Sequence, residues 1–243
     1  MMNINDIKFG RLVPKDRNYE DVYSFTKAVA IPQSQPVERV LPLPGLRSFY
    51  DQKTEGSCVG FATSWMMSIY NAYPQQKYDA RWLYRMAQQY DKDPNTVIGT
   101  DSGTYVWAAF WALQHYGHKK LTERLPDLND GILSYYWGRN ADNLRTAIAL
   151  GRPVVLGIPW YESFSKPENI NGEWWIGRYR NLGRMVGGHA ICNYGASDKR
   201  QAGKLVQTWG YAYPPVWIPY DVINRLMNEN GEMVMAVDNL RVS

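Results

Sequence analysis

The chain changes texture once, near residue 150, and that change limits the folds open to it more than any other feature. Before it, apolar residues recur at helical spacing: Val59, Phe61, Ala62, Trp65, Met66, Ile69, Tyr70 and Tyr73 predict a helix that begins near Ser57 and stops before Pro74. A second helix is expected over Ala80–Tyr90. A third runs from about Thr104 to Tyr116, closed by Gly117, and a shorter fourth over Asn143–Leu150, closed by Gly151. After it come short β-rich runs at Pro153–Ile158, Ala190–Tyr194, Lys204–Trp209, Pro215–Ile218 and Met233–Val237. Helices first and strands second describe an α+β chain of two lobes. Residues 1–44 carry five prolines and few apolar runs, which reads as an extended arm laid on the body. Residues 45–150 then form a helical lobe and 151–243 a β lobe, the two making one unit. No internal repeat is present.

Composition removes several function classes. Apolar residues at 45% and charged residues at 21% suit an ordinary globular core. The net charge of +4 comes from scattered Lys and Arg with no basic run, so no nucleic-acid partner is expected. No apolar stretch approaches ~18 residues, so no membrane span is expected. The opening Met1-Met2-Asn3-Ile4-Asn5-Asp6 lacks the basic-then-apolar pattern of a secretory signal, and the expected location is the cytoplasm or a virion. His115 and His118 flank a helix end, where histidine complements the dipole, and no metal site is expected from them. The 10 Trp and 18 Tyr suit a core of large rings or surfaces that meet other subunits.

Two cysteines, Cys58 and Cys192, are too few for a disulfide framework, and no bridge between them is expected. Cys58 stands at the start of the first helix, where backbone N–H groups and the helix dipole favour a thiolate. His189 follows Gly187-Gly188 and enters an apolar strand. A thiol at a helix start facing a base on a strand is an arrangement for acyl transfer. Cys192, three residues beyond His189, falls on the opposite face of that strand.

The stretch Asp51-Gln52-Lys53-Thr54-Glu55-Gly56-Ser57-Cys58-Val59-Gly60-Phe61-Ala62 resembles the active-site segment of papain-like cysteine peptidases. Gly187-Gly188-His189-Ala190 looks like that family's base segment, and Gln207-Thr208-Trp209-Gly210 is similar to its Asn-Ser-Trp-Gly. Asp101-Ser102-Gly103-Thr104-Tyr105 resembles its substrate-binding glycine segment. The step Ala149–Val155 and the stretch Trp217–Tyr220 extend the likeness over roughly residues 10 to 238, towards short-armed bacterial and phage members. The resemblance implies a papain-like two-lobe fold with the site in the cleft between the lobes, and an activity on peptide or protein substrates. It implies Cys58 as nucleophile, within ~4 Å of His189 as base, Gln207 orienting the imidazole, and Gln52 with the Cys58 N–H facing the oxyanion. Ser102, Gly103 and Gly188 would contact substrate, and no cofactor or metal is required.

The chain also departs from that pattern. Gln207 stands where the family has Asn, Val59 replaces the Trp after the nucleophile, and Glu55 replaces a Cys. The short loop after Gly210 lacks a second Trp-Gly, which predicts a wetter triad, and Glu55 near the thiol is expected to oppose its ionisation. These departures leave an alternative in a different class: an inactive relative serving as a structural or binding component of a larger assembly, such as a phage particle, with its cleft plugged by the 1–44 arm or by a neighbouring subunit.

Overall fold

The computed structural model describes residues 7–14, 24, 36–45, 49–72 and 78–236. Among them the helices are α1 (Cys58–Tyr70), α2 (Ala80–Tyr90), α3 (Val106–Tyr116), α4 (Ala141–Ala149) and α5 (Tyr220–Asn228). The strands are β1 (Glu38–Val40), β2 (Tyr135–Gly138), β3 (Val154–Tyr161), β4 (Glu168–Ile170), β5 (Glu173–Trp175), β6 (Met185–Ser197), β7 (Ala202–Val206), β8 (Val216–Pro219) and β9 (Glu232–Ala236). This is the α+β arrangement read from the sequence. Each helix expected there is present to within two residues, save that α1 ends at Tyr70; Tyr73 lies outside the described residues.

The strands form one sheet in the order β2-β9-β3-β6-β7-β8-β5-β4, with β1 paired to β6. Pairing is antiparallel apart from the single β5–β8 match at Trp175 and Trp217. Three central registers position the site. His189 lies opposite Ile158, Ala190 opposite Gly157, and Gly157 in turn opposite Glu232.

Helix α1 explains its own placement. Every residue from Cys58 to Ile69 is buried, so it is apolar on all sides and has to run through the centre. It packs on β6 to one side and on α2 and α3 to the other. Gly60 sets the α2 contact, because a Cβ there would stand 2.4 Å from the Ala80 carbonyl oxygen. Asp79 caps α2 by accepting from the Trp82 N–H at 3.0 Å. Burying a side chain such as Trp65 or Phe110 contributes roughly 1.5–3 kcal/mol, which is what holds the helices to the sheet.

Candidate functional site

Cys58 is the first residue of α1. The N-cap, Ser57, makes no side-chain cap and the first turn carries no acid, so the positive helix end is not neutralised locally. Burial pushes the Cys58 thiol up, while backbone hydrogen bonds from Ala190, Gly10 and Val59 and the charge of Arg11 pull it down. The Ala190 contact holds the sulfur against the backbone of the residue that follows His189 on β6.

His189 is wholly buried, and its Nε2 lies 2.8 Å from Gln207 Oε1. An amide oxygen only accepts, so this bond puts the proton on Nε2 and leaves Nδ1 with the basic lone pair. Among the described residues Nδ1 is buried without a hydrogen-bond partner, the Cys58 thiol included. The ring is enclosed by aromatics. Trp209 stacks on it at 4.4 Å and 12°, and Trp160 of β3 meets it edge-on at 5.0 Å. Burial drives the His189 pKa down to about 3 against the raising effect of Gln207.

Gln207 is fixed from behind. Trp65 Nε1 donates to its carbonyl oxygen at 2.9 Å, which ties the strand end to α1. Thr208 Oγ1 donates to Gln52 Oε1, and the Gln52 N–H donates to the Thr208 carbonyl at 2.8 Å. Gln52 is thus locked to the residue after Gln207. Its Nε2 donates to the Glu55 carbonyl at 2.6 Å and to the Lys8 carbonyl at 3.3 Å.

Lys8 belongs to a segment that fills the cleft. Residues 8–12 run between the Gly103–Thr104 segment and the Gly187–Gly188 stretch of β6, and backbone bonds pin the chain there. The Thr104 N–H donates to the Gly10 carbonyl and the Leu12 N–H to the Thr104 carbonyl, both at 2.9 Å, while the Arg11 N–H donates to the Gly188 carbonyl at 3.2 Å. The bridge between Arg11 and Thr104 is parallel. Phe9 stands edge-on to His189 at 5.9 Å and over Gly187. Gly10 has room for no side chain, since a Cβ would lie 1.5 Å from the Gly56 carbonyl oxygen.

Two sequence expectations change. The surroundings of His189 are dry, not wet: Trp160 and Phe9 supply the shield that the loop after Gly210 does not, and His189 and Gln207 are at most 1% exposed. Glu55 does not face the thiol; both its oxygens take the Arg81 Nε, at 2.8 and 2.9 Å, and turn the charge outward. Ser102 Oγ accepts from the Val97 N–H of its own loop at 3.0 Å. Gly103 and Gly188 do line the arm's path. Cys58 and Cys192 are both free and buried, and burial alone raises the Cys192 thiol. His118 bonds Ser64 Oγ at 2.8 Å and stacks on Tyr78, and His115 stacks on Trp111. No helix among the described residues is long and apolar enough to cross a membrane. Trp160 and Glu232 were not singled out by the sequence, and the arm was named as a plug of the cleft only as a whole, residues 1–44.

No family model and no curated protein matches the chain. Solved structures do. Xylellain, a cysteine protease from Xylella fastidiosa, is 19% identical with a TM-score of 0.68, over 96% of this chain and 97% of that one. Procathepsin B from Trypanosoma congolense is 14% identical with a TM-score of 0.61, over 97% and 88%. Procathepsin L2 from the larval midgut of Tenebrio molitor is 17% identical with a TM-score of 0.58, over 96% and 79%. At these identities the likeness establishes the fold: the chain is built as papain-like cysteine proteases are.

Proposed function

We propose that this papain-like chain is a thiol peptidase held latent by its own residues 8–12. The observation that carries the reading is the 2.8 Å bond from His189 Nε2 to Gln207 Oε1, which commits Nδ1 to act as the base. The longer side chain of Gln207 reaches His189 from a backbone held by the Trp65 Nε1 bond.

In the open enzyme Cys58 Sγ attacks a peptide carbonyl. His189 Nδ1 takes the thiol proton and returns it to the leaving amine. Gln207 Oε1 holds the imidazolium in plane, and Gln52 Nε2 with the Cys58 N–H stabilises the oxyanion. Each of these roles has a counterpart in the closed state. The Lys8 carbonyl occupies a Gln52 Nε2 hydrogen. Gly10 offers the thiol a backbone N–H where a substrate would present its carbonyl. Burial of His189 and of Cys58 disfavours imidazolium and thiolate alike, which keeps both neutral until water enters.

A filled cleft is also what a structural relative would have. Against that reading stands the intact alignment of Gln52, His189 and Gln207 behind the arm, which a scaffold does not need. The test is hydrolysis of a denatured protein substrate by full-length Gly10→Val, whose side chain cannot fit over Gly56. Turnover that vanishes in Gly10→Val/Cys58→Ser supports the proposal, and no turnover from folded Gly10→Val refutes it.

A further inference from the structure

A second hollow lies on the helical lobe, away from the cleft. Its volume is about 310 Å³, and its lining is Trp111, Gln114 and His115 from the C-terminal half of α3 with Ser134, Tyr135 and Tyr136 from the entry to β2. That size is at the small end of the ~300–1,000 Å³ range of small-molecule sites. Val106, the first residue of α3, stands beside Arg11 over Gly157. Gln114 is about 12 Å further along the helix, so the hollow and the cleft are separate.

The sheet ends here. β2 pairs with β9 on one side, and on its other side it meets only the single Ser24–Trp137 bridge among the described residues. Tyr135 and Tyr136 point to opposite faces of the strand, yet both line the hollow, because it wraps around this edge. The α3 wall is preformed. Trp111 is held by two rings, Tyr90 at 4.6 Å and His115 stacked at 3.9 Å and 20°.

Two hydrogen-bond acceptors are oriented in the lining. Gln114 Nε2 donates to the Leu133 carbonyl at 2.7 Å, which leaves its Oε1 to accept. His115 Nδ1 lies 2.8 Å from the Trp111 carbonyl, so the proton is on Nδ1 and the lone pair on Nε2. Among the described residues, neither acceptor has a partner, and the Tyr136 side chain has no hydrogen bond or ring contact.

This lining selects by chemistry. It holds no Lys, Arg, Asp or Glu, so neither a phosphate nor an ammonium finds a counter-ion there. It holds no aliphatic side chain to match an acyl chain, and each of its six residues carries a hydrogen-bonding group. A sugar ring is the complement: its hydroxyls donate to the two acceptors, and its C–H face lies against the electron-rich face of Tyr136. A proline-rich peptide also docks on aromatic grooves, but its carbonyls need donors where this site orients acceptors. We infer that the hollow between α3 and β2 binds a neutral saccharide. Its occupancy does not depend on the peptidase reading.

The test titrates the isotope-labelled full-length chain with maltotriose, cellotriose and triacetylchitotriose, and separately with hexaproline, following backbone amide shifts by NMR. At least one trisaccharide is expected to shift Gln114, His115 and Tyr136 saturably, with a Kd of about 1 mM or tighter, and to leave Gly187 and Gly188 unmoved. His115→Ala, at an exposed position, should weaken that binding about tenfold, through the lost acceptor. Tyr136→Ala should weaken it as much, and Tyr136→Phe should restore most of it by returning the ring face. No shift with any trisaccharide, shifts confined to the cleft, binding indifferent to His115→Ala and Tyr136→Ala, or hexaproline bound at these residues in place of the sugars overturns the inference.

Discussion

The floor of the cleft and the arm that covers it are held by different forces. The floor is core: α1 is buried on every side, and Trp65, Trp160 and Trp209 enclose Gln207 and His189 with at most 2% of their surface exposed. The arm adds Ile7 to the edge of the core and lays the partly buried Phe9 and Leu12 against it. It is held by a short run of backbone hydrogen bonds, the Phe9 ring, the Arg11–Glu232 pair and an exposed clasp between Lys8 and Asp101. The floor should therefore fail only with the whole fold, and the arm should open alone, as a local event of low free energy.

Substitutions in the floor should have the largest effects. Trp160→Ala is expected to cost about 3–5 kcal/mol of global stability, because the cavity opens beside His189 and Phe164 in a packed core. Phe9→Ala should leave the global denaturation midpoint unchanged and speed amide exchange at Arg11 and Leu12. Equal midpoint losses for the two would break the contrast. In the Gly10→Val background, Gln207→Ala is expected to lower kcat/KM by roughly 10²–10⁴ with circular dichroism unchanged, since the imidazole loses its orienting acceptor.

The arm itself ranks next. Gly10→Val alone should make Cys58 label with iodoacetamide about tenfold faster or more, the ratio that ~1.4 kcal/mol of closure free energy gives. Cys192 should stay unlabelled in both proteins, being buried in the core on the far face of β6.

Acid should open the arm in a graded way. In Cys58→Ser, His189 has no thiol proton to accept, so opening takes up a proton from solvent. The closed state holds the His189 pKa near 3, and an exposed ring titrates near 6.5. The closed form thus binds fewer protons, keeps its full advantage above pH 6.5, and loses about 1.4 kcal/mol per pH unit as the pH falls from there towards 3. Asp101 works in the same direction. The Lys8 side chain and the Gly56 N–H hold its carboxyl below the usual range, and the clasp is lost as the pH falls through that depressed value. Exchange at Leu12 should accelerate on acidification, and a flat profile would break this account. The smallest change is Lys8→Ala, worth at most about 1 kcal/mol because the pair is exposed and screened by salt.

The floor was legible in the sequence because its parts are local. Gly187-Gly188-His189 and Gln207-Thr208-Trp209 are short blocks, and the spacing from Val59 to Tyr70 placed Cys58 at a helix start. α5 carried a readable signal, Val222, Ile223, Leu226 and Met227 behind Pro219, and was overlooked. β2, with three consecutive aromatics, offers no alternation to read. The arm's position depends on a contact between residues 221 apart, Arg11 and Glu232. No pattern within either segment encodes such a pairing. The dryness of His189 was missed for the same reason, since Trp160 arrives from a neighbouring strand by register alone.

The most direct measurement is the rate at which a thiol-reactive peptidase probe labels Cys58 in the full-length chain and in Gly10→Val, across pH 5–8, with Cys58→Ser as control. The account predicts slow labelling of the unaltered chain. It predicts rapid, Cys58-specific labelling of Gly10→Val that persists below pH 7, where an ordinary thiol is protonated. If Gly10→Val is folded and its Cys58 reacts no faster than a free thiol at any of these pH values, the cleft holds no activated nucleophile and the peptidase account is contradicted.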